Sequence, residues 1–214
     1  MSVDAPTTNP AVPRKRGAAR GRLLDLAETA VLEKGFSGTS IEELIVGAGI
    51  TKSGFFYHFP DKSALAKALL ERFLERDFAL LEEIFARAEE LDDDPLHCYL
   101  IALKMLAEVF ADLPNGHPGC LVAATAYQEQ LFSQEVRDLN HAGVKALRAR
   151  FRKHLDRIVE RYPPRQPVDI DQLADMPSAL VDGGIVLSRA LRDPAVLPQQ
   201  LLLYRDFIRM LFQP

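Results

Sequence analysis

The stretch "SIEELIVGAGITKSGFFYHFPDKSAL", residues 40–65, decides the fold. Ser40 followed three residues later by Glu43 is a capping box, so a helix starts here. Ile41, Leu44, Ile45 and Ala48 give that helix one apolar face, and Gly47 and Gly49 stop it. Thr51 is an N-cap for the next helix. Pro60 ends it, because a residue before proline disfavours the α conformation. Asp61 then caps a long helix that runs to about Glu90. Two short helices joined by a glycine-containing turn form a helix-turn-helix, placed at residues 40–59. In that arrangement the second helix enters the major groove of DNA.

Within "TKSGFFYHF", residues 51–59, helical geometry sends Ile50, Phe55 and Phe59 inward. Lys52, Ser53, Gly54, Phe56, Tyr57 and His58 are left on the outer faces. Glycine inside a helix costs about 1 kcal/mol relative to alanine. Gly54 therefore points to a close approach by a phosphate or base edge, with a frayed short helix as the alternative.

Upstream, Leu23, Ala27, Ala30 and Val31 form one apolar helix face, and Gly35 provides a C-cap. Residues 1–15 read as a disordered arm with a basic end. Arg14, Lys15, Arg16, Arg20 and Arg22 occur with no acid between residues 14 and 24. The whole chain is acidic, with a net charge of −4, yet residues 14–62 hold eight basic and six acidic side chains. Such asymmetry fits a partner that is anionic at one end only.

Downstream, breaks at "DDDP", "LPNGHPG", "RYPPRQPVD" and "RDP" separate helical segments at about 95–111, 119–131, 133–161, 169–191 and 195–212. No alternating strand pattern occurs, so the fold class is all-α with about nine helices. An N-terminal three-helix domain at 16–77 precedes a larger helical domain at 78–214. One stripe of the latter holds Leu180, Gly184, Leu187 and Leu191. Another holds Leu197, Leu201, Tyr204, Ile208 and Leu211, with heptad-like spacing. Spacing alone allows either an intrachain core or a seam between two copies.

"EKGFSGTSIEELIVGAGITKSGFFYHFPDKSAL" resembles the DNA-binding domain of the TetR family of bacterial transcriptional regulators. The resemblance covers about residues 16–77 and departs at Phe56, where the family usually has tyrosine. It implies a ligand-responsive repressor, or an activator of the same fold, that binds a palindromic operator as a homodimer. Thr39 and Ser40 would meet a backbone phosphate, and Thr51, Lys52, Ser53 and Gly54 would face base edges and phosphates. Tyr57, His58 and Lys62 would clamp the flanking backbone, while Arg14, Lys15 and Arg16 track a phosphate strand or minor groove. The two leucine-rich stripes would form the dimer seam. The segment 95–161 would hold a small effector, with Met105, Phe110, Cys120 and Tyr127 as lining candidates and Phe132 near them.

The same sequence argues against other classes. No nucleophile elbow, P-loop, dinucleotide fingerprint or zinc-helix motif is present, so no catalysis, metal or cofactor is expected. Cys98 and Cys120 have no metal or redox spacing. No apolar run is long enough to cross a membrane and the N-terminus lacks a secretory h-region, so a cytoplasmic location is expected. A helical protein-interaction module is the remaining rival, supported by Phe56 and Tyr57 but opposed by Lys52, His58 and the basic arm.

Overall fold

The computed structural model describes residues 13–213, with side chains from residue 17 onward. Among these residues there are nine α-helices and no strand. The first, α1, spans Pro13–Gly38, so helix begins inside the span expected as an arm. The side chains of Arg14, Lys15 and Arg16, and all of residues 1–12, lie outside the described residues. Gly35 interrupts α1 with φ 76° and ψ 168°, a region that disfavours any residue with a Cβ.

Helix α2 spans Ile41–Ala48 and α3 spans Lys52–His58. Ser40 Oγ accepts from the Glu43 N–H at 3.1 Å, as a capping residue should. The return half of the box is replaced: Glu43 Oε2 takes the Lys34 ammonium at 2.6 Å. The turn closes with Gly49 N–H to Val46 O at 3.1 Å and Ile50 N–H to Ile45 O at 3.2 Å. Thr51 Oγ1 then accepts from Gly54 N–H at 3.1 Å and starts α3.

Helix α4, Lys62–Leu91, is capped by Asp61, whose Oδ1 accepts from Ala64 N–H at 2.7 Å. The remaining helices are α5 (Pro95–Ala111), α6 (Leu121–Tyr127), α7 (Gln134–Arg161), α8 (Ile170–Leu191) and α9 (Val196–Phe212). The single helix expected over 119–131 is α6 followed by a 3₁₀ turn, Glu129–Leu131.

Two apolar clusters hold the chain, and they divide α4 between Leu74 and Leu81. The N-terminal cluster joins α1–α3 to the first part of α4, and it includes Leu121, Val122, Phe132 and Val136 from the C-terminal half. The head therefore rests on α6 and the start of α7 rather than on residues 16–77 alone.

The stripe expected as a dimer seam on α9 faces inward. Leu197, Leu201, Tyr204, Ile208 and Leu211 are buried in the core of their own chain. Gly184 is buried as well, and it lets α9 of the same chain approach: a Cβ there would lie 3.1 Å from Leu197 Cα. Leu180 is half-buried against the same core, whereas Leu187 and Leu191 are exposed.

Pro177 gives the physical reason. Proline within α8 has no N–H, so the Leu173 carbonyl four residues earlier loses its helical donor. A buried carbonyl left unpaired is costly. Tyr204 Oη donates to Leu173 O at 2.9 Å and lies 3.2 Å from Tyr99 Oη. Since the Tyr204 proton is committed to Leu173, Tyr99 donates to Tyr204. Burial pushes the pKa of both hydroxyls well above the usual tyrosine value, so both stay neutral donors.

Tyr204→Phe removes the only hydroxyl on the Leu173 carbonyl and is expected to destabilise the chain by about 1–3 kcal/mol. Tyr99→Phe leaves that bond intact and should cost less. Urea unfolding of both variants measures the order, and equal costs would contradict this account of the pair.

Candidate nucleic-acid interface and effector cavity

The short helix α3 is anchored by its apolar side. Phe55 and Phe59 are 0% and 2% exposed, and their rings sit 5.9 Å apart. Arg20 of α1 lies over the Phe59 ring at 5.4 Å from its centroid. On the opposite side Thr51, Lys52, Ser53, Phe56 and Tyr57 are exposed, and Gly54 and His58 are half-buried. Tyr57 reaches 67% exposure, and its ring meets His58 edge-on at 5.2 Å. Thr51 Oγ1 also lies 3.0 Å from Ser53 Oγ, so two hydroxyls mark the start of α3.

The chain leaves little room for a side chain at Gly54. An added Cβ would lie 3.3 Å from Thr51 Oγ1 and 3.7 Å from Ile50 Cβ, which asks Thr51 to yield by a few tenths of an ångström. No positive φ is needed there.

Two residues expected on the DNA face are used internally. Thr39 is 1% exposed, and its hydroxyl donates to Gly35 O at 2.9 Å. The Lys62 ammonium donates to the carbonyls of Phe36 and Thr39. Burial lowers its pKa, with the Glu43 charge acting the other way. Lys62 thus ties the α1–α2 corner to α4 and is withdrawn from the phosphate clamp expected for it. Ser40 remains exposed at the start of α2.

The effector candidates separate in the same way. A cavity of about 210 Å³ lies between α4, α5, α6, α7 and α8. Phe110 and Cys120 line it. Met105 packs against the main core and does not line this cavity. Tyr127 is 81% exposed and faces solvent, because α6 turns its last residue away from the bundle. Phe132 belongs to the head, where it meets Phe36 edge-on at 4.7 Å.

Sequence reading missed Asp77 of α4, Ser178 and Asp182 of α8, and His117, all of which line this cavity. Burial pushes the Asp77 carboxyl up to about 6, against the attraction of Arg76 and with Glu28 and Asp182 adding to the rise. Asp182 is raised by burial too, with its Cys120 hydrogen bond opposing. Burial and the Asp182 charge push the Cys120 thiol up to about 12, which leaves it protonated and a poor nucleophile. Burial and Arg189 lower the pKa of His117, whose Nδ1 accepts from Gly119 N–H at 3.2 Å. The signal for Asp77 was present in the sequence: Phe73, Asp77 and Leu81 fall on one face at +4 spacing.

A larger cleft of about 730 Å³ runs between α1, the 114–118 loop and α8. Its walls carry Asp25, Glu28, Arg72 and Arg76, already tied to one another in ion pairs. That is a hydrated charged groove, and the smaller apolar cavity is the better chamber for a small molecule.

Comparison with known proteins adds three findings. Residues 23–69 match the family described as "Bacterial regulatory proteins, tetR family". The chain is 32% identical over 96 residues to the HTH-type transcriptional regulator TtgR of Pseudomonas putida, covering 44% of this chain and 42% of that protein. It is 35% identical over 65 residues to the HTH-type transcriptional repressor KstR2 of Mycobacterium tuberculosis, covering 30% of this chain and 32% of that one. In both cases the match spans less than half the length of the relative. The fold extends further. A TetR-family regulator from Agrobacterium tumefaciens superposes with TM-score 0.75 at 21% identity, over 92% of this chain and 99% of that one. The reduced form of E. coli NemR gives TM-score 0.73 at 21% identity, over 92% and 98%.

The raised Asp77 carboxyl carries a stability cost with a defined sign. The folded chain keeps a proton that the unfolded chain loses as pH rises from about 4 to about 6. Stability therefore falls across that window, and the loss persists above it. Asp77→Asn is expected to raise Tm at about pH 7.5, with the gain fading as the solution is taken to about pH 4. Thermal melts at both pH values measure it, and a pH-independent gain would assign the effect to packing.

Proposed function

We propose that this chain, a TetR-family protein in its DNA-binding domain and in its fold, is a ligand-responsive transcriptional regulator that releases its operator when a small molecule enters the α4–α8 cavity. The observation that carries this is the two-sided recognition helix. Phe55 and Phe59 fix α3 to the head, and the opposite side offers Lys52, Ser53, Gly54 and Tyr57. Lysine donates to guanine O6 and N7, and hydroxyls and backbone position the protein on phosphates. Phe56, 40% exposed, adds apolar contact of the kind that reads a thymine methyl. Arg20 and Arg22 are exposed on α1 and supply positive charge beside it.

Assembly as a two-fold dimer follows from a second exposed feature. Leu203, Phe207 and Met210 form an outer stripe on α9, with Leu203 63% and Met210 62% exposed. Val186, Leu187 and Leu191 of α8 are 60%, 45% and 65% exposed. Together these helices offer the apolar surface from which a four-helix interface is built. The seam thus lies on the opposite side of α9 from the residues that spacing selected.

Release requires a ligand that binds one head spacing better than the other. By linkage, operator DNA must weaken ligand binding by the same factor. A coupling of about 1–3 kcal/mol would lower operator affinity roughly 5–150-fold.

Fluorescence anisotropy on DNA flanking the chain's own coding region tests the DNA reading. Affinity should fall steeply with salt. Lys52→Ala should weaken binding by about 1–3 kcal/mol and relax preference at one base position. Gly54→Ala should remain folded, as thermal melts check, and bind DNA less tightly. Unchanged binding by both variants on every sequence would remove α3 from the interface.

Leu203→Glu with Phe207→Glu should yield a folded monomer by light scattering, without half-site binding across roughly 34–36 Å. A dimer that survives this double change would place the interface elsewhere.

A further inference from the structure

We propose that the α4–α8 cavity takes an amphiphilic organic cation, with Asp77 and Asp182 as its counter-charges and the surrounding aromatic and aliphatic side chains as its apolar walls. The proposal deepens the regulator reading above by naming the class of effector. Its chemistry rests on the cavity alone.

Asp77 comes from α4 and Asp182 from α8, so two separate helices bring carboxyls to one space. No lysine or arginine lines that space. The nearest cations are engaged elsewhere: Arg76 pairs with Glu28, and Arg189 donates to Pro118 O. Among the described residues neither carboxyl is in an ion pair; Asp182 meets only the Cys120 thiol. An isolated buried carboxylate is costly, and such a group holds its proton to a higher pH than an exposed one until a counter-charge arrives. A cation supplies that counter-charge and lets the proton leave. An anion would face two carboxyls with no compensating donor of positive charge.

The walls supply the rest. Phe73, Phe110 and Phe151 bring aromatic surface from three helices, and a cation is attracted to ring faces. A volume of about 210 Å³ is below the usual range for drug-sized ligands and suits a molecule of one ring.

The groups facing Asp77 give a pH dependence. They are Arg76 on its own helix, Glu28 of α1 and Asp182 of α8, with His117 and Cys120 at the cavity wall. The residues that α5 and α7 present to the cavity carry no titrating group. Cys120 stays protonated and His117 neutral near neutral pH. Asp77 is thus the group that changes charge near pH 6, and burial raises Asp182 in the same direction. Cation affinity should be highest above that pH and fall below it, because protons then compete with the ligand.

The test uses the full chain and three probes of matched shape: benzyltrimethylammonium, its carbon isostere neopentylbenzene, and phenylacetate. Titration calorimetry near neutral pH should find the cation bound about tenfold or more tightly than the isostere, and phenylacetate weakest. The preference should shrink below about pH 6. It should approach unity in the Asp77→Asn, Asp182→Asn double variant while the isostere still binds. If the double variant does not fold, each single variant is read for the same ratio. An isostere or anion bound as tightly as the cation overturns the proposal. So does a preference that survives in the variants, or a cation that fails to bind. Operator titration with the same probes separates the two claims. A cation that binds the cavity without moving operator affinity upholds the site and defeats the regulator reading of it. Operator release by phenylacetate alone upholds the regulator and defeats the cation.

Discussion

One ammonium group holds the reading head in place. Lys62, the first residue of α4, donates to the carbonyls of Phe36 and Thr39, the two sides of the corner between α1 and α2. Those carbonyls sit at the end of α1, where intrahelical donors run out, and Phe36 O takes only the Thr39 N–H at 3.3 Å besides the ammonium. Gly35 makes the corner possible by taking a positive φ of 76°. The Thr39 hydroxyl closes it by donating back to Gly35 O at 2.9 Å. Bonds to a charged donor are about twice as strong as neutral ones. The direction of α2, and of α3 packed on it through Phe55, is thereby set by where α4 begins.

The same corner is touched from the effector side. Gln128, just after α6, accepts from Ser37 N–H at 3.3 Å through Oε1, and its amide covers Gly35. Phe132 meets Phe36 edge-on at 4.7 Å. Cys120 and Val122, at the start of α6, line the cavity. On α4 the cavity face carries Phe73 and Asp77, and the adjoining residues Arg72 and Arg76 grip Asp25 and Glu28 of α1. Ion pairs at a surface are individually worth about 0–1 kcal/mol, and of these only Arg72–Glu28 is largely shielded on both sides. Their importance is geometric: the same two turns of α4 face the cavity on one side and α1 on the other.

The sequence made the head legible because its signals are local. Ser40, Thr51 and Asp61 cap their helices through bonds to residues three positions ahead, and Pro60 acts on its neighbour. The α9 stripe was legible only as a stripe. That helix is apolar on two sides, with Leu201, Tyr204 and Ile208 on one and Leu203, Phe207 and Met210 on the other. Periodicity finds both sides and does not tell which meets the chain's own core. The deciding fact is long-range: Pro177 orphans a carbonyl that only Tyr204 reaches. Lys62 and Thr39 were misread for a related reason. A polar side chain at a helix start serves a phosphate or a carbonyl equally well on paper, and the turn at Gly35 decides. Tyr127 was assigned to the cavity by its residue type, and the short length of α6 turns it outward.

Helix α8 treats its buried polar groups in two opposite ways, and the contrast separates wall from site. At Pro177 the fold creates an unpaired carbonyl on Leu173 and satisfies it completely, with two tyrosine hydroxyls in series. That arrangement ties α5, α8 and α9 into a rigid unit, since moving any one of them breaks a buried bond. A turn and a half further along, among the described residues Asp182 receives only a thiol, and Asp77 opposite it receives no ion pair. Replacing either acid with an apolar residue of similar size would remove the desolvation cost without breaking a strong bond. A chain selected for stability alone has no reason to keep them facing one cavity. The polar groups at Pro177 are completed by the fold, whereas the two carboxyls of the cavity are left without a counter-charge among the described residues.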